Sequence, residues 1–446
     1  MMKILLVFIV LVHGLILTKL QFFPYPELFI YPYLNNSGLK PYQEILDQHF
    51  PGLMFLPINF DNLGMTDPQI ARIWLIFIVI IIQLFLFLIA RSILKSEKKA
   101  LFVNILYLFW QPFFEGWVFW IDNLLPLLLL PSFYCLYKNK FFICGLLLGI
   151  GIVFKQTLIP LTFLVLIYSF WDSRDRHQII KLVGGILIPM ALMLLYFISI
   201  GVIKDFWYWT VVFNLTTYAR FGTSTPASVG FVTRVLLVYS TSILLWFHKD
   251  RRLIQILFLF LAGSLIGIFD RADFVHFQPS LPFVLLATAL GVYSISKTTL
   301  AKFGIFIYVV ITFWWQKVFY SGHISNKVLL FDEQTKQTAL KIRQYTNVGE
   351  KIFIFGAVPQ LYQMSETLPA GNIFVFQFPW FLAVAEGRIL EGIEKDQPKI
   401  IISDRTINIE GQAITDYAKN IDQYIQKNYK IIDQVGTTSI MNRNSL

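Results

Sequence analysis

Long apolar runs separated by short polar connectors dominate roughly the first 320 residues of the chain. A helix of about 20 residues, rising 1.5 Å per residue, crosses the ~30 Å hydrocarbon layer of a membrane. The pattern predicts about eleven spans, near 4–20, 71–92, 100–116, 122–137, 141–156, 158–171, 179–200, 229–247, 253–269, 277–295 and 302–320. The stretch 141–171 also fits two half-spans or a re-entrant hairpin.

The pattern changes near residue 332, where polar residues become frequent and short strand signals alternate with helix signals. Helices are predicted at 332–345, 380–395 and 412–428, and strands at 351–357, 398–404 and 430–435. This alternation predicts a small α/β domain with a mainly parallel sheet. The expected fold is a polytopic α-helical membrane domain (1–320, with a first outside loop at 21–70), a linker (321–331) and a C-terminal extracytoplasmic α/β domain (332–446).

Composition and charge agree with a membrane protein. The 446 residues are 56% hydrophobic and 14% charged, whereas soluble domains carry about 25% charged residues. Lys and Arg concentrate in alternate short loops, which predicts a cytoplasmic amino terminus and an outside carboxy-terminal domain in the cell membrane. The net charge of +10 is then explained by cytoplasmic turns facing anionic headgroups rather than by nucleic acid. Two cysteines offer neither a disulfide framework nor a metal site.

The first outside loop is unusually rich in acidic and aromatic residues, and reads PYPELFIYPYLNNSGLKPYQEILDQHFPG from Pro24 to Gly52. Its segment Tyr42–Phe50 is predicted as a short amphipathic helix. Carboxylates near the membrane and flanked by aromatic rings can act as general bases, so Glu27 and Asp47 are candidates. The alternative is an interfacial helix with a solvated acidic face.

A second acidic segment, EGWVFWIDN (115–123), lies in the short outside turn between the third and fourth predicted spans. Asp122 in this segment is the third candidate base. The alternative is a helix cap, because Asp often precedes an apolar helix.

Cationic groups fall on the same predicted side of the membrane and are candidates for binding a phosphate. Lys155 interrupts an apolar run, and Arg271 and His276 lie between the ninth and tenth spans. Lysines at such depth either snorkel or pair with an anion, and the guanidinium of Arg271 offers a bidentate fork. Further candidate contacts to the substrate are Arg220, Tyr42 and His49. The structural alternatives are pairing of Arg271 with neighbouring aspartates and an aromatic belt around Arg220.

The segment from Glu27 through NSGLKPYQEILDQHFPG carries an early acid, then G-x-x-PY, a further acid and H-x-P. This order resembles the GT-C membrane glycosyltransferases, in particular the bacterial family 39-type relatives of protein O-mannosyltransferases and lipid A aminoarabinose transferases. The KQ at Lys155 and Gln156, and the R…H at Arg271 and His276, resemble later elements of the same pattern. The eleven-span layout with an outside tail adds to the likeness along the whole chain.

The resemblance implies transfer of a sugar from a polyprenyl-phosphate donor to an extracytoplasmic lipid, glycan or protein. Glu27 stands where the family often has an Asp or an Asp-Glu pair; because it is a single Glu, Asp47 or Asp122 could be the base instead. Lys155 and Arg271 correspond to positions near the lipid phosphate. No cofactor is indicated, and a bridging divalent metal stays open. The alternatives are a lipid-linked glycan flippase or other transporter, and a polysaccharide polymerase or ligase.

Overall fold

The computed structural model describes residues 2–172, 175–221, 228–266, 273–295 and 299–444. The chain divides into two compact units. The helical unit comprises Met1–Pro24, Gln69–Leu194 and Thr223–Lys327, and the mixed unit comprises Tyr25–Pro68, Leu195–Gly222 and Val328–Leu446. The C-terminal region therefore clusters with two segments that precede it far back in the sequence.

Helices account for most of the described chain. Their bounds are α1 Met2–Lys19, α2 Glu27–Asn36, α3 Gly52–Phe55, α4 Pro68–Leu94, α5 Glu97–Gln111, α6 Pro126–Tyr137, α7 Phe141–Phe154, α8 Ile159–Asp172, α9 Arg176–Ser199, α10 Ile203–Trp207, α11 Ala219–Phe221, α12 Val229–Tyr239, α13 Arg251–Leu265, α14 Leu281–Ile295, α15 Thr299–His323, α16 Glu333–Tyr345, α17 Leu361–Ser365, α18 Pro379–Asp396, α19 Ile414–Tyr417 and α20 Lys419–Asn428. Pro112–Gly116 and Tyr208–Tyr218 form π turns, and Ile121–Asn123, Gln156–Leu158, Ser240–Phe247, Phe274–Phe277 and Ala370–Asn372 form 3₁₀ turns.

Strands are few and short. They are β1 Phe23–Pro24, β2 Ile45–Leu46, β3 Val118–Phe119, β4 Lys351–Phe355, β5 Leu368–Pro369, β6 Phe374–Val375, β7 Ile400–Ser403, β8 Asn408–Ile409, β9 Gln412–Ala413, β10 Tyr429–Val435 and β11 Thr438–Arg443. In the helical unit, β1 pairs in parallel with β3.

Five helical segments in the described residues are long and apolar enough to cross a membrane: Met2–Lys19, Pro68–Leu94, Arg176–Ser199, Val229–Phe247 and Lys302–His323. Shorter apolar helices occupy Ile121–Tyr137, Phe141–Phe154, Gln156–Asp172 and Leu281–Ile295. Large apolar side chains such as Ile73 and Phe77 of α4 and Phe306 and Phe313 of α15 are exposed on the protein surface. This exposed apolar surface and the long apolar helices are compatible with spanning a membrane. The count of eleven spans stays a prediction.

Glycines let two helices of the helical unit approach closely. A Cβ atom at Gly145 or Gly149 of α7 would lie 2.1 or 2.5 Å from a backbone oxygen of α9, and one at Gly185 of α9 would lie 2.4 Å from a backbone oxygen of α7. Small residues that permit backbone contact are the usual means of packing helices in a membrane, where lipid and core are equally apolar. These three glycines therefore fix the α7–α9 interface.

The core of the mixed unit is a five-stranded sheet in the order β10-β11-β7-β4-β5. Strands β5, β4 and β7 are parallel, whereas β11 runs antiparallel to both β7 and β10. The predicted sheet is therefore present but mixed. The antiparallel pair arises because Gly436, with a φ of +59°, closes a two-residue hairpin turn between Val435 and Thr438. Glycine at the first central position is typical of such turns.

Two local predictions in the mixed unit are wrong. The predicted helix at 412–428 begins as strand β9 and is interrupted at Ala418 between α19 and α20. The predicted helix Tyr42–Phe50 is a turn followed by β2, and the helix of the first outside loop is instead α2. Strand β2 pairs in parallel with β6, so hydrogen bonds to a distant part of the chain override the local helical pattern.

Candidate active site

Three side chains predicted on separate connectors meet in the helical unit: Asp122, Lys155 and His276, here named the ion cluster. Lys155 Nζ donates to Asp122 Oδ2 at 2.5 Å and lies 3.2 Å from His276 Nδ1. His276 Nδ1 is 3.1 Å from the same Asp122 oxygen. The ion cluster thus brings together an acid, an ammonium and an imidazole that are 33 to 154 residues apart in sequence.

Local backbone structure places each member of the ion cluster. Lys155 lies where α7 ends, with extended φ and ψ of −156° and 118°, and a 3₁₀ turn follows before α8 begins. Asp122 lies in the 3₁₀ turn that precedes α6, and the Asn123 side chain closes this turn by accepting from the Trp120 backbone. His276 lies in the 3₁₀ turn before α14. All three side chains are therefore carried by interruptions between helices.

The ion cluster is almost enclosed by protein, because only 11% of the Lys155 side chain and 14% of the His276 side chain are exposed. Burial, followed by the positive charge of Lys155, lowers the pKa of His276 below its usual 6.5. The imidazole is therefore neutral at pH 7. In one tautomer the proton is on Nδ1, which donates to Asp122. In the other the proton is on Nε2, and Nδ1 accepts from Lys155.

Two more charged side chains flank the His276 turn, and the sequence analysis did not select them as site residues. Glu115 Oε2 accepts a hydrogen bond from the Val275 backbone at 3.1 Å. The guanidinium of Arg234 lies over the rings of Phe113 and Phe274, 4.3 and 4.2 Å from their centroids. The signal for Arg234 was available, since it is the single charge in the helix VGFVTRVLLVY, and intramembrane charges are functional candidates.

The mixed unit holds a second carboxylate cluster around Asp47, which is 1% exposed. The hydroxyl of Tyr31 donates to Asp47 Oδ1 at 2.8 Å, the His49 backbone N–H donates to Oδ2 at 2.9 Å, and His49 Nδ1 lies 3.1 Å from Oδ1. The Tyr42 hydroxyl donates to the His49 carbonyl at 2.9 Å. Asp47, Tyr31 and His49 are named the Asp47 cluster. Unlike Asp122, Asp47 is hydrogen-bonded mainly by neutral donors.

Burial and then the charge of Asp47 raise the pKa of both Tyr31 and Tyr42 well above 10.0. Both phenols therefore stay protonated and act as donors. Ring contacts hold them in place: Tyr31 packs edge-on against Phe376 at 5.6 Å, and Tyr42 packs against Phe206 at 5.2 Å. The Asp47 carboxylate is consequently fixed in position rather than mobile.

Glu27, the first candidate base, is the first residue of α2 and is 9% exposed. The amino terminus of a helix stabilises a carboxylate through the helix dipole and the first backbone N–H groups. Tyr31 lies one helical turn further on, and the charge of Glu27 also contributes to its raised pKa. Glu27 therefore belongs to the same helix as a donor to Asp47.

The remaining candidates are distributed as follows. Arg220 is exposed in the short helix α11 of the mixed unit, and Arg271 lies outside the described residues. Across the described ranges, no three His, Cys, Asp or Glu side chains are grouped to hold a metal ion. Whether a divalent metal bridges acid and phosphate stays open. The described candidates thus form two sets, one in each unit.

Comparisons with known proteins supply no family for this chain. A scan against protein-family models finds no match, and a search of curated proteins finds none either. The functional assignment therefore rests on the sequence pattern and on the geometry of the two carboxylate clusters.

Proposed function

We propose that the chain is a GT-C-type membrane glycosyltransferase that moves a sugar from a polyprenyl-phosphate donor to an acceptor outside the cytoplasm. The convergence of Lys155, His276 and Asp122 is the observation that carries the proposal. The sequence predicted all three for one face of the membrane, Asp122 as a candidate base and Lys155 and His276 as candidate phosphate contacts. Their side chains lie within 3.2 Å of one another.

The ion cluster has the chemistry of an anion site. An ammonium carries three N–H donors. Within the described residues Asp122 accepts one of those of Lys155, and His276 accepts a second when its Nδ1 carries no proton. The third can donate to a phosphate oxygen. A buried lysine without a carboxylate would be costly, so Asp122 maintains the charged lysine until a donor binds and keeps its ammonium oriented.

The proposed reaction is a displacement at the anomeric carbon. The acceptor oxygen forms a bond to that carbon, the bond from carbon to the phosphate oxygen breaks, and polyprenyl phosphate leaves with the bonding electrons. The acceptor proton passes to a carboxylate. Negative charge therefore grows on the phosphate, and donors fixed in advance at that oxygen stabilise the transition state. Lys155 supplies such a donor, and His276 gains one on protonation.

Glu27 remains the first candidate for the carboxylate that takes the proton. Asp47 already accepts from a phenol at Oδ1 and from a backbone N–H at Oδ2. Asp122 is likewise already engaged, in its ion pair with Lys155. Asp47 and Asp122 stay the alternative candidates for this proton transfer.

The test uses the full-length protein in lipid nanodiscs with a panel of polyprenyl-phosphate sugars and membrane extract as acceptor. Release of polyprenyl phosphate is the expected result. Lys155→Met should abolish release, whereas Lys98→Met, which alters an exposed lysine of α5, should not. Glu27→Gln should also abolish release, with Glu44→Gln as its matched control.

Two outcomes would overturn the proposal. Normal release by Lys155→Met would remove the ion cluster from the reaction. Movement of a lipid-linked glycan across vesicles, without release from any donor, would replace the enzyme by the flippase alternative.

A further inference from the structure

A second group of buried polar side chains, here named the His13 network, lies in the helical unit. It consists of His13 on α1, Gln83 on α4, and Asn104 and Gln111 on α5, none of them more than 1% exposed. Amides and imidazoles are rare inside apolar helices because burying an unsatisfied polar group is costly. These four side chains hydrogen-bond to one another instead, although Asn104 Oδ1 has no partner among the described residues.

The side-chain to side-chain hydrogen bonds of the His13 network run from Asn104 to Gln111, and Gln83 Nε2 also donates to the Asn104 backbone carbonyl at 3.3 Å. Asn104 Nδ2 donates to Gln83 Oε1 at 2.5 Å, Gln83 Nε2 lies 3.0 Å from His13 Nδ1, and His13 Nε2 lies 3.0 Å from Gln111 Oε1. Amide nitrogens only donate and amide oxygens only accept. The His13 ring is therefore neutral, with its proton on Nε2, which donates to Gln111 Oε1.

The His13 network ends at the π turn Pro112–Gly116, where Gln111 Nε2 donates to the Gly116 carbonyl at 3.2 Å. This turn is strained, since Glu115 has a φ of +54°, a left-handed conformation that is unfavourable for a residue with a side chain. A Cβ at Gly116 would lie 2.2 Å from Gln111 Nε2, so the contact requires glycine. The turn therefore depends on its partners to persist.

Gln278, 1% exposed, holds the same turn from the other side. Its Nε2 donates to the carbonyls of Gln111 and Phe114 at 3.0 and 2.6 Å. Two residues before Gln278 lies His276, and Glu115 in the π turn accepts from Val275. The π turn leads, six residues after Gly116, to Asp122. The π turn that precedes the Asp122 turn is thus fastened to the His276 turn.

We propose that Gln111 and Gln278 are positioning residues that fix the position of the His276 turn relative to the Asp122 turn. The His13 network holds Gln111 in place. The consequence for donor binding rests on the proposed function. The position at which His276 is held does not depend on the proposed function.

The test measures carbethoxylation of His276 by diethyl pyrocarbonate in the full-length protein, read by mass spectrometry as a function of pH. The reagent attacks neutral, accessible imidazole. In the wild-type protein we expect slow labelling. Gln278→Met and Gln111→Met, which keep the side-chain length and remove the hydrogen bonds, should raise the labelling rate several-fold.

The pH profile separates positioning from general loosening. His276 faces Lys155, Asp122 and Asp273, and the turn before it is bonded to Glu115. When His276 is released from Lys155 and from burial, the pH midpoint of its labelling should rise towards its usual pKa of 6.5. Gln316→Met is the matched control, because this buried glutamine also donates to α5, at the Phe109 carbonyl, but does not belong to the His13 network. It should lower stability without changing the labelling of His276.

Unchanged rate and midpoint in both Gln278→Met and Gln111→Met would overturn the proposal, as would an equal change in Gln316→Met. Binding of polyprenyl phosphate to wild type and Lys155→Met, measured in the same preparations, reports on the proposed function separately. Equal binding by those two proteins would contradict the phosphate role of the ion cluster while leaving the labelling result valid.

Discussion

The two carboxylate clusters solve the same problem, a buried negative charge, in opposite ways. Asp122 is balanced by the ammonium of Lys155, whereas Asp47 is satisfied by a phenol and a backbone N–H next to an imidazole. An ion pair can exchange its partner when another anion arrives, because the ammonium keeps its charge. A carboxylate held by several neutral donors has no such freedom. The difference suits the ion cluster to ligand binding and the Asp47 cluster to fixing structure.

Asp122→Asn should give the largest loss of stability. It leaves Lys155 buried without a counter-charge, and breaking a buried ion pair from one side costs about 3–5 kcal/mol. The free energy of unfolding, measured in detergent, checks this. Adding Lys155→Met removes the stranded charge, so the double variant should be more stable than Asp122→Asn alone. A double variant that is less stable would mean that the two residues act independently.

Asp47→Ala should have an intermediate effect. It removes the acceptor of the Tyr31 hydroxyl and the His49 N–H but strands no charge, and leaving buried donors unsatisfied costs about 1–3 kcal/mol. The same unfolding measurement applies, with Asp61→Ala as a control in the same loop. A loss as large as that of Asp122→Asn would contradict the distinction between the two clusters.

Tyr31→Phe should have a smaller effect of about 1 kcal/mol, the net value of one hydrogen bond. Asp47 retains the His49 backbone donor, and the ring contacts of residue 31 survive. Tyr33→Phe serves as control, since its hydroxyl donates to the Thr367 carbonyl rather than to a carboxylate. If Tyr31→Phe destabilised no more than Tyr33→Phe, the bond to Asp47 would contribute nothing special.

The sequence was a good guide to elements set by local pattern. The apolar runs predicted α1, α4, α9 and α15 within a few residues, and the tail pattern predicted β4, β7, α16 and α18. These segments have a clear period, and their hydrogen bonds are local or match the expected strand order. Caps added detail, as where the Asp332 side chain accepts from Thr335 at the start of α16.

Elements that depend on distant partners could not be predicted in this way. The segment 42–50 has a helical pattern, yet Ile45 pairs with Phe374 and Tyr42 takes a φ of +65°. No local signal encodes a partner more than 300 residues away. Similarly, the sequence named Asp122, Lys155 and His276 separately, on three different connectors. Only the folded chain shows that one oxygen of Asp122 serves both others.

The smallest expected effect is the pH dependence contributed by His276, and it tests whether the ion cluster is as enclosed as Asp122 and Lys155 require. Burial and Lys155 lower the pKa of His276 in the folded protein below its usual 6.5. Between the two pKa values the unfolded chain binds more protons, so stability falls as pH drops below about 6.5 and is fully present above it. His276→Gln should therefore show a shallower loss of stability between pH 7.5 and pH 5.5 than the wild type. The exposed His177 provides the control, since His177→Gln should follow the wild-type curve. Identical curves for all three proteins would mean that His276 titrates alike in the folded and unfolded chain, and that the ion cluster admits water freely.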